Sequence, residues 1–263
     1  MTARALTLDF VYPTYDVTVT PEAQAEKLAC CDVDPGVFGD YVDITHFAVE
    51  TIMAAKHGGA SINGSVHVSQ EFEQFAPVRL GETLTLSGRV TALERNARGA
   101  MITSAFEFSR ASGEVPLRLS RTSLKADPTL MRQPADAPAI STVSAAELGS
   151  DWVAVASHQL LPENVARYSI EAENLIHLDP TVAAQFGFRA PIAGGLMAAR
   201  MMMAYLWRDG PVQSLRMSVN FRRPMFWDEQ LRLFDVGGAG ARLKMVRASD
   251  NKVVNEATIE HCG

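Results

Sequence analysis

An internal repeat constrains the fold of this chain more than any other feature of its sequence. Residues 77–84 line up with residues 224–231, and each segment follows an alternating apolar strand and leads into another. The segments start at positions 77 and 224, which is 147 residues apart and a little over half of the 263-residue chain. A duplicated domain gives an offset of this size. Because a single core nears its practical limit at this length, the repeat favours two domains of roughly 100 to 150 residues.

Hydrophobic periodicity predicts the same succession of elements in both halves. Residues 45–56 are predicted as a helix with Val49, Ile52 and Met53 on one face, and residues 195–208 as a strongly apolar helix. Strands are predicted after each helix, at about 65–75, 83–95, 100–110 and 115–125 in the first half and at about 213–222, 230–236, 240–248 and 252–261 in the second. A helix followed by antiparallel strands, twice, indicates the α+β class.

Composition indicates where the two halves are joined. Residues 127–150 are rich in Ala, Pro and Ser, which is typical of a connecting segment. We therefore expect an N-terminal domain over residues 1–130, a linker over residues 131–150 and a C-terminal domain over residues 151–263.

Charge and cysteine content exclude several classes of protein. Hydrophobic residues make up 47% of the chain, and no uncharged run is long enough to span a membrane. The net charge of −6 argues against a nucleic-acid-binding protein, which needs a basic surface. The cysteines, Cys30, Cys31 and Cys262, suggest neither a disulfide framework nor a metal site. Since the amino terminus lacks the apolar core of a signal peptide, we expect a cytoplasmic protein.

The segment at residues 168–197 combines a polar turn, a histidine and a short helix. Its first three residues, 168–170, are predicted to end a strand, and His177 follows the polar turn. Asp179 and Pro180 then start a helix, because the aspartate side chain can accept hydrogen bonds from free amides and proline is tolerated at the first helical position.

Glycines end this short helix and begin the next one. Gly187 supplies the stop. Gly194 and Gly195 then precede the apolar helix at residues 195–208. Backbone amides at the start of a helix have no partner within it, so they form an anion-stabilising site where no side chain covers them.

These residues together resemble the motif of the MaoC-like, or R-specific, enoyl-CoA hydratases and dehydratases of the hotdog fold. The family motif has an aromatic residue, then S-G-D-x-N-P-L/I-H-x-D, a short helix that ends in G-F, and P-I-A-H-G at the start of the next helix. The positions that match it, without an internal gap, are Asn174, Ile176, His177, Asp179, Pro180, Gly187, Phe188, Pro191, Ile192, Ala193 and Gly195.

The resemblance implies a double hotdog, in which two antiparallel sheets join edge to edge and each wraps round a long helix. The C-terminal domain would carry the site. The N-terminal domain would be a degenerate copy of the fatty-acid-synthase dehydratase type.

The chain departs from the family motif at several positions when it is aligned on Asn174 and His177. They include Ala172 at the catalytic aspartate, Glu171 at the preceding glycine, Leu175 at the proline and Gly194 at the second histidine. The usual carboxylate is therefore missing. Glu173 takes its place if the loop runs one residue shorter, and Glu171 is the other carboxylate that could stand in.

The resemblance also implies a role for each site residue. His177 is the main acid/base, since imidazole titrates nearest to working pH, and the Glu173 carboxylate is expected to turn toward it. Asn174 orients the histidine or the water. The Gly195 amide, at the positive end of its helix, is the oxyanion donor. The residues expected to contact the substrate are Gly194, Gly195, Leu196, Ile192 and Arg222.

The reaction implied is the reversible addition of water to a trans-2-enoyl thioester, which gives an R-3-hydroxyacyl thioester. This is a hydro-lyase activity of bacterial fatty acid metabolism. The expected ligand is an acyl-CoA or acyl-carrier-protein thioester, with no cofactor, metal, nucleic acid or membrane, and a homodimer is compatible with it. Two alternatives stay open, a hotdog acyl-CoA thioesterase and a non-catalytic acyl-thioester-binding protein.

A weaker echo of the motif precedes the first long helix. Asp40 and His46 follow the order of the motif, but they are six residues apart instead of five. His46 is therefore interpreted as a residue of the helix start. His67, in an alternating strand, is interpreted as a cross-strand neighbour.

Overall fold

The strands form one ten-stranded antiparallel sheet and a separate two-stranded ladder. The computed structural model describes residues 4–62, 64–126, 151–236 and 240–263. In chain order the strands are β1 (Tyr15–Thr18), β2 (Ser65–Gln74), β3 (Thr83–Asn96), β4 (Gly99–Ser109), β5 (Leu117–Ala126), β6 (Trp152–Gln159), β7 (Ile192–Ala193), β8 (Leu215–Phe221), β9 (Met225–Phe226), β10 (Gln230–Val236), β11 (Arg242–Arg247) and β12 (Val253–Cys262).

Within the described residues, five α-helices and three short 3-10 turns accompany the strands. The helices are α1 (Pro21–Cys30), α2 (Thr45–His57), α3 (Pro162–Ser169), α4 (Pro180–Gln185) and α5 (Gly195–Trp207), and the turns lie at Pro35–Phe38, Ile170–Ala172 and Leu175–His177. Both long helices and all eight strands predicted from periodicity are confirmed to within two residues at each end. None of the helices in the described parts of the chain has the length and apolarity that a membrane crossing requires.

The strand order shows the duplication directly. Across the large sheet it runs β1-β3-β4-β5-β2-β8-β12-β11-β10-β6, so the two halves mirror each other about the β2–β8 pair. That pair joins the halves from Ser69 opposite Asn220 to Gln74 opposite Leu215. The repeated segments lead into β3 and β10, which are counterparts in this order. The α+β class and the double hotdog fold are both confirmed.

The two long helices lie inside the curved sheet and touch each other. Helix α5 is apolar all round and almost completely buried, as expected for a helix inside a core. Its one charged residue, Arg200, is 0% exposed and pairs with Asp43, which precedes α2, at 2.7 Å. The ion pair therefore ties the centre of α5 to the start of α2.

Residues 168–170 do not end a strand, and that prediction is wrong. They lie at the end of α3 and in the turn that follows it. Helix α3 has Pro162 in its first turn and buries Val165 and Tyr168, which are three residues apart on one helical face. The predicted linker at residues 131–150 lies outside the described residues.

Candidate active site

A cavity of about 690 Å³ lies between the two halves of the molecule. Its walls come from α2, β2, β4 and β5 of the first half, and from residues 168–177, β7 and the start of α5 of the second. The lining is mainly apolar, with a limited set of polar side chains. A cavity of this size and character is typical of a small-molecule site.

His177 is fixed in one orientation at this cavity. Its neighbour Ile176 is buried and packs with Ile192 and Phe226, which anchors the turn. Because a carbonyl oxygen can only accept, the imidazole Nδ1–H donates to the Ile192 carbonyl oxygen, at 2.7 Å. Burial lowers the pKa of His177, so the neutral ring is favoured, with Nε2 as an acceptor.

The start of α5 is bare and faces the same cavity. No side chain caps it, and Gly194, Gly195 and Leu196 all line the cavity. A Cβ on Gly195 would lie 2.6 Å from the Phe221 ring, so only glycine allows this close approach. Free amides at the positive end of a helix stabilise negative charge. Since β7 directly precedes Gly194, the Ile192 carbonyl brings the imidazole close to these amides.

Asn174 does not form the hydrogen bond to the histidine that its implied role suggested. Its side chain is buried and bonds instead to the backbone of the first half. The amide group donates to the Ser65 carbonyl at 3.1 Å, and its oxygen accepts from the Gly64 amide at 3.3 Å. Asn174 therefore fixes the segment between α3 and α4, residues 170–179 and here called the site loop, against β2.

Glu173 does not turn toward His177. It has a left-handed backbone, with φ of 53°, and its carboxylate pairs with Lys56 of α2 at 2.9 Å. The side chain is 73% exposed, and Glu173 does not line the cavity. The positive φ directs the side chain away from the site. The expected orientation is therefore corrected, and its catalytic role stays a prediction.

Glu171 is the carboxylate that the structure brings to the cavity instead. It is the one acidic side chain among the described residues that line it. Its carboxylate pairs with Lys27 of α1 at 3.1 Å. Ala172 also lines the cavity, so the position of the motif's aspartate faces the site without a polar group.

Arg222 lines the cavity and pairs with Glu256 at 2.7 Å. Other basic side chains in the lining are Arg4, Arg95, Arg98, Arg121, Lys125 and Arg223. Sequence reasoning missed Arg121, although it shares one face of β5 with Ser123 and Lys125, and that alternation was the available signal. His67 also lines the cavity, with its ring 4.8 Å from that of Phe221.

Comparison with known proteins supports the fold. The chain is similar to HtdX from Mycobacterium tuberculosis, with a TM-score of 0.74 and 20% identity over 94% of this chain and 98% of that one. A protein described as a MaoC-like dehydratase gives a TM-score of 0.72 and 16% identity over 96% and 97% of the two chains. An acyl-ACP thioesterase from Bacteroides thetaiotaomicron gives 0.57 and 10% over 95% and 96%.

No protein-family model matches the sequence, and no curated protein matches it. Identities of 20% or less show the fold alone, and the neighbours that share it include a MaoC-like dehydratase and an acyl-ACP thioesterase. The resemblance found in the sequence is thus confirmed in the fold: the chain is a double hotdog, and its structural neighbours include MaoC-like dehydratases.

Proposed function

We propose that this protein is a hydratase/dehydratase of acyl thioesters that interconverts a trans-2-enoyl thioester and an R-3-hydroxyacyl thioester. One observation carries the proposal, the pairing of an imidazole with a bare helix start. The Ile192 carbonyl holds His177 directly before the uncapped start of α5, so a base and an oxyanion site flank one region of the cavity. The fold shared with MaoC-like dehydratases supports the same class of reaction.

Hydration needs a base, an acid and donors for the thioester oxygen. Neutral His177 accepts a proton from water at Nε2 while the water oxygen bonds to C3 of the enoyl group. The electron pair of the double bond moves toward the thioester oxygen, where the Gly195 amide stabilises the enolate. The imidazolium then delivers its proton to C2, which completes the addition of one water molecule. Dehydration follows the same steps in reverse.

Glu171 assists the imidazole in this proposal. Ala172 offers no carboxylate, whereas the Glu171 carboxylate lies in the cavity wall and is held by Lys27. A carboxylate accepts a hydrogen bond from the attacking water and orients it toward the substrate. The ion pair with Lys27 restrains the position of this carboxylate.

The basic side chains of the cavity lining suit the phosphates of coenzyme A or of the phosphopantetheine arm of a carrier protein. Arg95, Arg98 and Arg222 lie in this set, and guanidinium groups bind phosphate oxygens through charge-assisted bonds. We assign the chemistry to the C-terminal domain over residues 151–263, with the N-terminal domain over residues 1–130 supplying the opposite wall.

A single assay on trans-2-enoyl-CoA separates the candidate reactions. Loss of the absorbance of the conjugated thioester without release of free thiol, with the R-3-hydroxyacyl product identified by chiral chromatography, is the expected result. Release of thiol would indicate the thioesterase reaction, which the same fold supports in other proteins. Binding without turnover would indicate a non-catalytic acyl-thioester-binding protein. Either of these outcomes would contradict the proposal.

A further inference from the structure

A buried arginine lies in the first-half wall of the cavity, apart from the residues assigned to catalysis. Arg121 on β5 is 6% exposed and lines the cavity. Within the described residues no carboxylate lies in ion-pair range of its guanidinium, and the groups that favour its charge are the hydroxyls of Tyr12 and Tyr15. Arginine stays protonated in proteins, so this side chain adds a buried positive charge to the cavity wall. A buried charge without a counter-ion is costly.

The other deeply buried arginine shows how this protein treats a structural guanidinium. Arg200 is 0% exposed and has Asp43 at 2.7 Å, with Thr45 accepting a further hydrogen bond at 2.9 Å. Arg200 does not line the cavity. The arginine without a carboxylate is thus the one that faces the ligand space.

The neighbours of Arg121 do not neutralise it. The Tyr12 hydroxyl bonds to Ser104 at 2.8 Å, and the Tyr15 hydroxyl donates to Glu50 at 3.0 Å. The guanidinium also lies 5.7 Å from the centre of the Phe106 ring. Burial lowers the pKa of Arg121, in agreement with a charge that lacks an anionic partner.

The strand register places Arg121 at a distance from the site loop. Lys125 lies opposite Ser65 in the β2–β5 ladder, and the Ser65 carbonyl accepts a hydrogen bond from Asn174 of that loop. Arg121 is four residues further along β5, or about 13 Å at the usual rise of a strand. Ser123 lies between them on the same face and also lines the cavity. An acyl chain whose thioester lies beside His177 can therefore extend along this face toward the guanidinium.

We propose that Arg121 binds a carboxylate at the far end of the acyl chain, so that the substrates are mono-thioesters of dicarboxylic acids. The proposal rests on the proposed function for the position of the thioester. The cavity supplies the space, the apolar wall suits the methylene chain, and the guanidinium supplies two parallel donors for a carboxylate.

Binding tests the proposal without relying on turnover. The mono-CoA thioesters of octanedioic and decanedioic acids are compared with octanoyl-CoA and decanoyl-CoA by calorimetry on the full chain. Wild type is expected to bind the carboxylated series about 10- to 100-fold more tightly, the range for a hydrogen-bonded charge pair. Arg121→Met is expected to lose this preference. Arg118→Met is the matched control, because Arg118 lies three residues away on β5 and pairs with Glu107 outside the cavity.

A second variant keeps the proposal testable if Arg121→Met fails to fold. Ser123→Asp places a carboxylate next to Arg121 on the same face of the strand, and this internal partner is expected to abolish the preference as well. Equal binding of both series by wild type, or a preference that survives Ser123→Asp, would overturn the proposal.

Turnover separates this proposal from the proposed function. The mono-CoA thioester of trans-2-decenedioic acid is expected to have a higher kcat/KM than trans-2-decenoyl-CoA. Equal hydration of the two thioesters would leave the hydratase function intact and overturn the role of Arg121. If neither is hydrated while the binding preference holds, the hydratase function fails and the carboxylate site stands.

Discussion

The two long helices begin differently, and the difference separates a structural helix start from one that can serve catalysis. Before α2, the Asp43 carboxylate accepts hydrogen bonds from the Thr45 amide at 3.0 Å and the Thr45 hydroxyl at 2.6 Å, and it pairs with Arg200. Before α5, Gly194 offers no side chain, and the first turn lines the cavity. One half of the duplicated fold covers the positive end of its helix, whereas the other leaves it open to a ligand.

His46 and His177 differ in the same way as the two helix starts. His46 lies in the first turn of α2, and its Nε2 is buried without a partner among the described residues. Burial and the nearby Arg200 hold the pKa of His46 well below its usual value. His46 does not line the cavity, whereas His177 does. A histidine near a helix start is therefore not sufficient, because a site also needs ligand space and an open helix terminus.

Removal of the His177 imidazole is expected to lower activity more than any other change proposed for the two halves. The change His177→Gln removes the base, so kcat/KM for hydration should fall by about 100- to 10,000-fold. His46→Gln is the matched control and should retain most of the activity. Steady-state kinetics on an enoyl thioester measure both, and thermal unfolding confirms that each variant is folded. Equal losses of kcat/KM in the two variants would contradict the assignment of the base to His177.

Closing the open helix start should have the next largest effect. Gly194→Asp supplies α5 with the kind of cap that Asp43 gives α2. The carboxylate should occupy the free amides and repel the developing oxyanion, which lowers kcat by about 100- to 1,000-fold. The same cap should raise the free energy of unfolding slightly, by about 0.3 kcal/mol, because glycine is itself a tolerated N-cap residue.

For Gly194→Asp, the diagnostic result is a lower kcat together with a higher stability. Gly194→Ala is the control, because a Cβ there meets nothing within 4 Å, and it should leave activity nearly unchanged. A stabilised Gly194→Asp variant with full activity would rule out the helix start as the oxyanion site.

The two glutamates of the site loop provide a smaller and sharper test. Glu171 and Glu173 each pair with a lysine of the first half, but of the two only Glu171 lines the cavity. Glu171→Gln should lower kcat by about 10- to 100-fold through loss of one charged hydrogen bond. Glu173→Gln should change it by less than about twofold. If Glu173→Gln is instead as severe as His177→Gln, the pair predicted from the sequence is real and Glu171 is the bystander.

The pH dependence of hydration should show the state of the imidazole. Burial lowers the pKa of His177, and its protonated form cannot accept a proton from water. The profile of kcat/KM should be level through neutral pH and fall at acid pH, with its inflection below the ordinary histidine value of about 6.5. Since the unfolded chain takes up this proton first, the same group should lower stability as pH falls below about 6.5. An inflection above that value would contradict the assignment.

Local signals allowed much of the fold and part of the site to be predicted. Helix caps and alternation depend on neighbouring residues, so the start of α4 at Asp179 and Pro180 and the strands of both halves could be read directly. The motif also predicted that His177, Asn174 and Gly195 would share one pocket, and all three line the cavity. Residues 168–170 were misread because the end of a short, partly buried helix resembles the end of a strand in the sequence.

The features that could not be predicted depend on contacts between the two halves. Asn174 bonds to Ser65, which is 109 positions away, and nothing in its own segment indicates that partner. The direction of Glu173 depends on a single positive φ angle and on Lys56. Alternation places Arg121 and the exposed Arg118 on opposite faces of β5, but the sequence does not show which face lines the cavity. The three-dimensional arrangement supplies that assignment.

The site loop belongs to one half of the chain but is held by the other. Lys27 bonds to the Tyr168 carbonyl and pairs with Glu171, Lys56 pairs with Glu173, and Ser65 binds Asn174. The proposed activity therefore depends on these contacts between the two halves more than on the core of either half. On heating, these contacts should break before either core unfolds. The temperature at which activity is lost should therefore lie below the temperature of global unfolding.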